Sequence, residues 1–186
     1  MNGTKVFIAG SRHFSKLGSD VKHRLDNIVE KGLTVIIGDA NGADKAVQKY
    51  LSAKRYKKVT VYCVNGGCRN NVGNWPTRSI APSNPQRKDF AYFATKDRAM
   101  AEEADYGLML WDGQSRGTLT NIVDLVRREK PVVVYISTER NFHIFTDFGT
   151  MLSKIHHEAL QRIGHDLQVL ETTTAPTRKS YNMSLF

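Results

Sequence analysis

The sequence predicts an α/β domain: a mainly parallel sheet of five strands in the order 3-2-1-4-5, with helices on both faces. Three observations lead there. Short apolar runs recur along the chain, separated by longer stretches with helical periodicity. The runs are apolar throughout rather than alternating, as in strands covered on both faces. Strands that alternate with helices form parallel sheets, and right-handed crossovers then leave few strand orders. The result is a Rossmann-like three-layer sandwich.

Lys5-Val6-Phe7-Ile8-Ala9-Gly10 is the first strand, central and ending in glycine, followed by the loop Ser11-Arg12-His13-Phe14. A helix runs from about Leu17 to Lys31, with Val21, Leu25, Ile28 and Val29 on one stripe, and Gly32 stops it. The second strand is Leu33 to Ile37. Its loop, Gly38-Asp39-Ala40-Asn41-Gly42-Ala43-Asp44, leads into a helix that carries Ala43, Val47, Tyr50 and Leu51 inward. The third strand is Lys58 to Val64. From Asn65 to about Gln86 there is no period, only glycines, asparagines and prolines; such a stretch is usually a functional lid or a disordered segment. Trp75 within it either stacks on a base or, the better reading, pins the loop to the body.

A helix resumes near Arg87 and reaches Ala104, with Phe90, Phe93, Asp97, Met100, Ala101 and Ala104 inward. An unpaired buried carboxylate is costly. Asp97 therefore faces the cleft or pairs with a cation such as Arg12, unless the helix phase is off by one residue. The fourth strand, 107–111, precedes Trp111-Asp112-Gly113-Gln114-Ser115-Arg116-Gly117-Thr118, which opens a helix bearing Leu119, Ile122, Val123, Leu125 and Val126. Lys130-Pro131 leads to a fifth strand, Val132 to Ile136. A last helix is expected over Phe148 to Ile163, with His156-His157-Glu158 on its surface, and a loose tail over 172–186. The domain thus spans 1–171, with no internal repeat.

The 186 residues suffice for one domain with a core. A net charge of +9 suits polyanions or anionic small molecules, or simply keeps the chain in solution. Cys63 and Cys68, with no second pair and no nearby histidine, argue against zinc and for two reduced thiols. With no leader-like N-terminus and no apolar run of membrane-spanning length, a cytoplasmic protein without a membrane partner is expected.

Ligands in open α/β sheets bind beyond the carboxyl ends of the strands, where the strand order reverses. Three loops converge there: Gly10-Ser11-Arg12, Gly38 to Asp44, and Asp112 to Thr118. The last is a phosphate cradle. Its glycines allow close approach, Ser115 and Thr118 offer hydroxyls, and the helix N-terminus favours an anion. Arg12 can clamp a phosphate with two hydrogen bonds. Asp39, Asn41 and Asp44 suit ribose hydroxyls or a base amino group, although Asp44 could instead stabilise its helix N-terminus. Gly113-Gln114-Ser115-Arg116-Gly117 also matches the GxSxG nucleophile elbow, with Asp147 and His157 as later partners; a five-stranded sheet looks too small for that fold.

Taken in order, Ala9-Gly10-Ser11-Arg12, Gly38 to Asp44, Lys96-Asp97-Arg98-Ala99-Met100 and Trp111 to Thr118 resemble the SLOG superfamily, in its YspA/YpsA-like branch, over about residues 5–137. The resemblance implies a nucleotide-binding domain. Relatives include the cytokinin-activating phosphoribohydrolases, the DNA-processing protein A that binds single-stranded DNA, and sensors of NAD-derived signals, and they are often dimers or larger. The phosphoribohydrolase motif PGGxGTxxE keeps its Gly-Thr here as Gly117-Thr118, but Thr120 or Asn121 stands where its glutamate would be.

The leading expectation is binding of a nucleotide or derivative (a monophosphate, ADP-ribose or NAD-like). Arg12, Ser115, Gly117 and Thr118 would hold phosphate, with Ser11 adding hydrogen bonds, and Asp39, Asn41 and Asp44 would hold the sugar or base side. Gly10, Gly38, Gly42, Arg98 and Gly113 complete the expected ligand-binding set. The alternative is an N-glycosidase acting on nucleoside 5′-monophosphates, with Asp97 or Asp112 stabilising an oxocarbenium-like transition state. The second alternative, resting on net charge, basic clusters and Trp75, is single-stranded nucleic-acid binding. No cofactor and no metal are expected.

Overall fold

Residues 3–82, 84–86, 88–156 and 159–160 are described in the computed structural model. The strands are β1 (Lys5–Gly10), β2 (Thr34–Gly38), β3 (Val59–Val64), β4 (Thr77–Ile80), β5 (Tyr106–Trp111), β6 (Val132–Ile136) and β7 (Asn141–Phe145). The helices are α1 (Ser19–Glu30), α2 (Ala43–Ala53), α3 (Phe90–Glu103), α4 (Arg116–Arg127) and α5 (Phe148–Leu152). One seven-stranded sheet runs in the order β4-β3-β2-β1-β5-β6-β7, parallel except for the antiparallel β6–β7 pair.

Strand number and order therefore differ from expectation. The five expected strands keep their relative places, and one strand is added at each edge. Both additions are weakly apolar. β4 (Thr77-Arg78-Ser79-Ile80) is exposed along most of its length, and β7 buries only Phe145 fully. Neither shows the continuous apolar run of a central strand, so neither was visible as one.

Alternation along the strands divides the core in two. Val6, Ile8, Val35, Ile37, Leu108 and Leu110 point to one face, where Val21, Leu25 and Ile28 of α1 and Val47 and Leu51 of α2 cover them. Phe7, Ala9, Ile36, Met109 and Val134 point to the other, under Met100 of α3, Ile122 and Leu125 of α4 and Met151 of α5. This is the three-layer arrangement.

Four local expectations need correction. The stretch 65–86 is not structureless: it contains β4 and is tied down. Buried Gln48 donates to Gly38 O (2.8 Å) and accepts from Val72 N (2.9 Å), and Trp75, itself in the core, donates to Tyr56 O (2.8 Å). Cys63 and Cys68 form a disulfide instead of two thiols. On α3, Lys96 rather than Asp97 is the deeply buried residue, and Phe90 faces out. The last helix is interrupted rather than continuous: α5 ends at Leu152, Ala159 and Leu160 are helical again, Ile155, Ala159 and Leu160 are buried, and 161–163 lie outside the described residues. His156 is exposed, whereas His157, Glu158 and the tail from 172 lie outside the described residues.

Candidate functional site

β1 is flanked by β2 on one side and β5 on the other, so the chain reverses direction across the sheet at this point. The crevice at the carboxyl ends of β1 and β5 is closed by direct contacts between the three turns. Ser11 N donates to Leu110 O (2.9 Å), and Ala43 N to Ser11 O (3.1 Å). Ser11 Oγ donates to Asp112 Oδ2 (2.6 Å), and His13 Nδ1 lies 2.9 Å from the same oxygen. Close packing requires two of the glycines. A Cβ on Gly42, whose φ is +84°, would enter the backbone of Arg12; one on Gly10 would lie 2.5 Å from Leu110 O.

The turns surround a cavity of about 520 Å³, to which Gly10, Ser11, Arg12, Asp44, Asp97, Ser115, Gly117 and Thr118 contribute. Of the remaining expected residues, Asp112 lies behind the wall as a tether. Its Oδ1 accepts from Gln114 N (3.0 Å) and Ser115 N (2.7 Å). Although partial burial opposes it, the hydrogen bonds from Ser11, the two amides and His13 hold its carboxyl down to about 2. Gly113, with φ +80°, shapes that turn. Asp39 is 2% exposed and is gripped by Arg69, with Nη2 to Oδ1 at 2.6 Å and Nε to Oδ2 at 3.1 Å. Asn41 is exposed and accepts from Asn70 Nδ2 (3.1 Å). Arg98 is exposed on α3 and does not line the cavity. Gly38 brings the end of β2 close to Asp44 Oδ2 and Lys96 Nζ, where a Cβ would collide with both.

The cradle takes the expected form. Ser115 is the N-cap of α4 and accepts from Thr118 N (3.4 Å) and Thr118 Oγ1 (3.0 Å). The amides of Arg116 and Gly117, in the first turn, have no carbonyl within the helix to bond. Asp147 serves the N-terminus of α5 in a capping box with Thr150, so the elbow reading of Ser115 finds no support there.

Charge is layered in the cavity. Its mouth carries the exposed cations Arg12, Lys88 and Arg116, together with His13 and Arg69. Two of these lie against aromatic faces: Arg116 is 4.9 Å from the Phe90 ring centroid and Arg69 is 4.8 Å from that of Phe93. Deeper in, Lys96, 4% exposed, pairs with Asp97 (2.5 Å), and Asn121 Nδ2 donates to Asp97 Oδ2 (3.4 Å). Asp44 accepts from Ala40 N (3.1 Å). Burial lifts its carboxyl to about 7, with repulsion from Asp97 and Asp39 adding to the rise and Lys96 opposing it. Among the described residues no cluster of metal-ligating side chains occurs, and no helix is long and apolar enough to cross a membrane.

The sequence reading missed Arg69, Lys88, Lys96 and Asn121 as cavity residues. Arg69 sits in the aperiodic stretch, where no pattern marks it. Phe90 carried a readable clue. Phe90, Tyr92 and Phe93 fall within four residues, too many aromatics for one buried stripe, so one had to face out.

No protein-family profile matches the chain, and no curated protein matches it in sequence. Among solved structures it resembles DNA processing protein A from Helicobacter pylori, described by its single-stranded DNA binding mode. The TM-score is 0.53 and the identity 17%, over 72% of this chain and 65% of that one. It also resembles DNA processing protein A from Streptococcus pneumoniae, with TM-score 0.54 and 12% identity over 83% of this chain and 62% of that one. The likeness is one of fold, and this chain spans less than two thirds of the length of either protein.

Proposed function

We propose that the cavity mouth binds single-stranded nucleic acid, with a phosphate at the N-terminus of α4 and a base against Phe90. The observation that carries this reading is the layering of the mouth. Exposed Arg12, Lys88 and Arg116 surround an outward-facing phenylalanine that is 43% exposed. Cations that track a backbone and an aromatic face that accepts any base are the two components of sequence-tolerant single-strand binding. The fold likeness to a protein described as binding single-stranded DNA supports the same reading.

Fluorescence anisotropy with a labelled oligonucleotide tests it. Single strands should bind better than duplex, and affinity should fall steeply with salt. Phe90→Ala should weaken binding with the salt slope unchanged. Arg116→Ala and Arg12→Ala should each weaken it about tenfold or more and lower the slope by about one. Equal binding of duplex, or a flat salt response, would remove the proposal.

A second reading is favoured by the cavity itself. About 520 Å³ with a buried polar floor falls in the range of small-molecule sites, so a free nucleotide, ADP-ribose or NAD-like compound would fit the same place. Calorimetry with these compounds separates the two readings. Were the site hydrolytic, Asp97 would be the better placed carboxylate, since it lines the cavity and Asp112 does not. Release of free base from nucleotides, abolished by Asp97→Asn, would show it.

A further inference from the structure

Beside the first cavity lies a second one of about 290 Å³, formed between the turn after β3 and the N-terminal part of α3. The two share Arg69, Lys88 and Phe93, so they adjoin along one saddle. The guanidinium of Arg69 lies over the Phe93 ring and is fixed from below by its double hydrogen bond to Asp39. On the far side are Tyr92, edge-to-face with Phe93 at 5.0 Å between centroids, and the backbone of Asn65 and Gly67.

We propose that this second cavity is a subsite for the base of the adjacent nucleotide, with Lys88 beside the connecting phosphate. The inference rests on the reading of the first cavity as a nucleic-acid site and extends its footprint from one nucleotide to two. Three features support it. The volume is just below that of sites for whole small ligands, which suits a base rather than a complete nucleotide. Its walls offer a guanidinium plane and aromatic rings, the groups on which unpaired bases stack. The facing wall is also fixed before any ligand arrives. The Cys63–Cys68 disulfide closes the turn, Val64 and Gly67 form a bridge, and Gly66 N donates to Ser79 Oγ (2.6 Å). A preorganised wall loses little freedom on binding.

The test compares thymidine 5′-monophosphate with the 5′-phosphorylated dinucleotide pTpT by calorimetry. The dinucleotide should bind about tenfold or more tightly, the gain from one further stacked base. Gly67 provides a variant confined to the second cavity. A Cβ there meets nothing within 4 Å, and its backbone is not left-handed, so a side chain introduces no strain. Gly67→Leu should bring pTpT down to the affinity of the mononucleotide, which itself should be unchanged. Equal affinity of the two ligands for the parent protein would overturn the second subsite while leaving the first intact. So would a Gly67→Leu variant that weakens both alike. Absence of binding by either ligand would overturn the nucleic-acid reading itself, and this inference with it.

Discussion

The pH dependence of stability should be governed between pH 4 and 8 by Asp44. Its side chain is 5% exposed. Lys96 and Asp97 face it from α3, Asp39 from the end of β2, and Arg69 lies behind Asp39. Loss of water raises its carboxyl from the ordinary 3.8 to about 7, because the attraction of Lys96 and the Ala40 amide is outweighed. A group that holds its proton more tightly folded than unfolded contributes stability that is complete below about pH 4 and is lost as pH rises through about 7. The interval between 3.8 and about 7 corresponds to roughly 4 kcal/mol. Asp44→Asn keeps an oxygen to accept from Ala40 N–H and cannot ionise. Urea unfolding of parent and variant from pH 4.5 to 8.5 isolates the effect, since every titration common to both cancels in the difference. The variant should gain on the parent by several kcal/mol between pH 4.5 and about 7, and the difference should level off above that. A difference that is flat across this range, or that slopes the other way, would refute the burial argument for Asp44.

Three further outcomes follow from particular contacts. Gly42→Ala sets a Cβ against the Arg12 backbone at a φ of +84°, and should cost roughly 2 kcal/mol or more in thermal unfolding, parting the first two turns. Asp112→Asn removes a charged acceptor from Ser11 and His13 and should cost about 2 kcal/mol at pH 7. Because folding depresses this carboxyl from 3.8 to about 2, that cost should disappear as pH falls through this interval, read by denaturant titration. Cys68→Ser, or reduction of the parent, opens a short covalent loop worth roughly 2 kcal/mol by chain entropy; it should lower the melting temperature and free Arg69, the next residue, as seen in faster amide exchange there.

The central architecture was legible because burial on both faces leaves no room for polar residues. Val6-Phe7-Ile8 and Val132-Val133-Val134 are apolar at every position and could be read as strands without tertiary knowledge. The edges were not legible for the complementary reason. Arg78 and Ser79 need only one neighbour to become strand, and that neighbour, Tyr62 to Cys63, is fixed by the fold rather than by local pattern. The same division holds in the site. Ser11 and Ser115 stand in turns between recognisable elements, and Thr118 in the first turn of α4, so their convergence follows from strand order. Arg69 reaches the cavity only because Asp39, 30 residues earlier, holds it there. Lys96 was misjudged because helical periodicity tests hydrophobicity, and a buried lysine with carboxylates beside it looks polar to any such pattern.

The vertical order of charge bears on how a ligand would lie. A phosphate placed deep in the cavity would approach Asp97, and Asp44 above pH 7, with Lys96 already committed between them. At the mouth it would meet Arg12, Arg116 and the first amides of α4, with no carboxylate facing it among the lining residues except half-buried Asp89. The mouth therefore suits the anionic part of a ligand and the floor its hydroxyls or amino groups, which can donate to Asp97 or exchange hydrogen bonds with Asn121. A single strand satisfies the first requirement repeatedly along its length. A free nucleotide satisfies it once and would have to rely on the floor for the rest of its affinity. On this reasoning the cations distinguish ligands by number of phosphates, while the buried Asp44–Lys96–Asp97 group distinguishes them by what they carry inward.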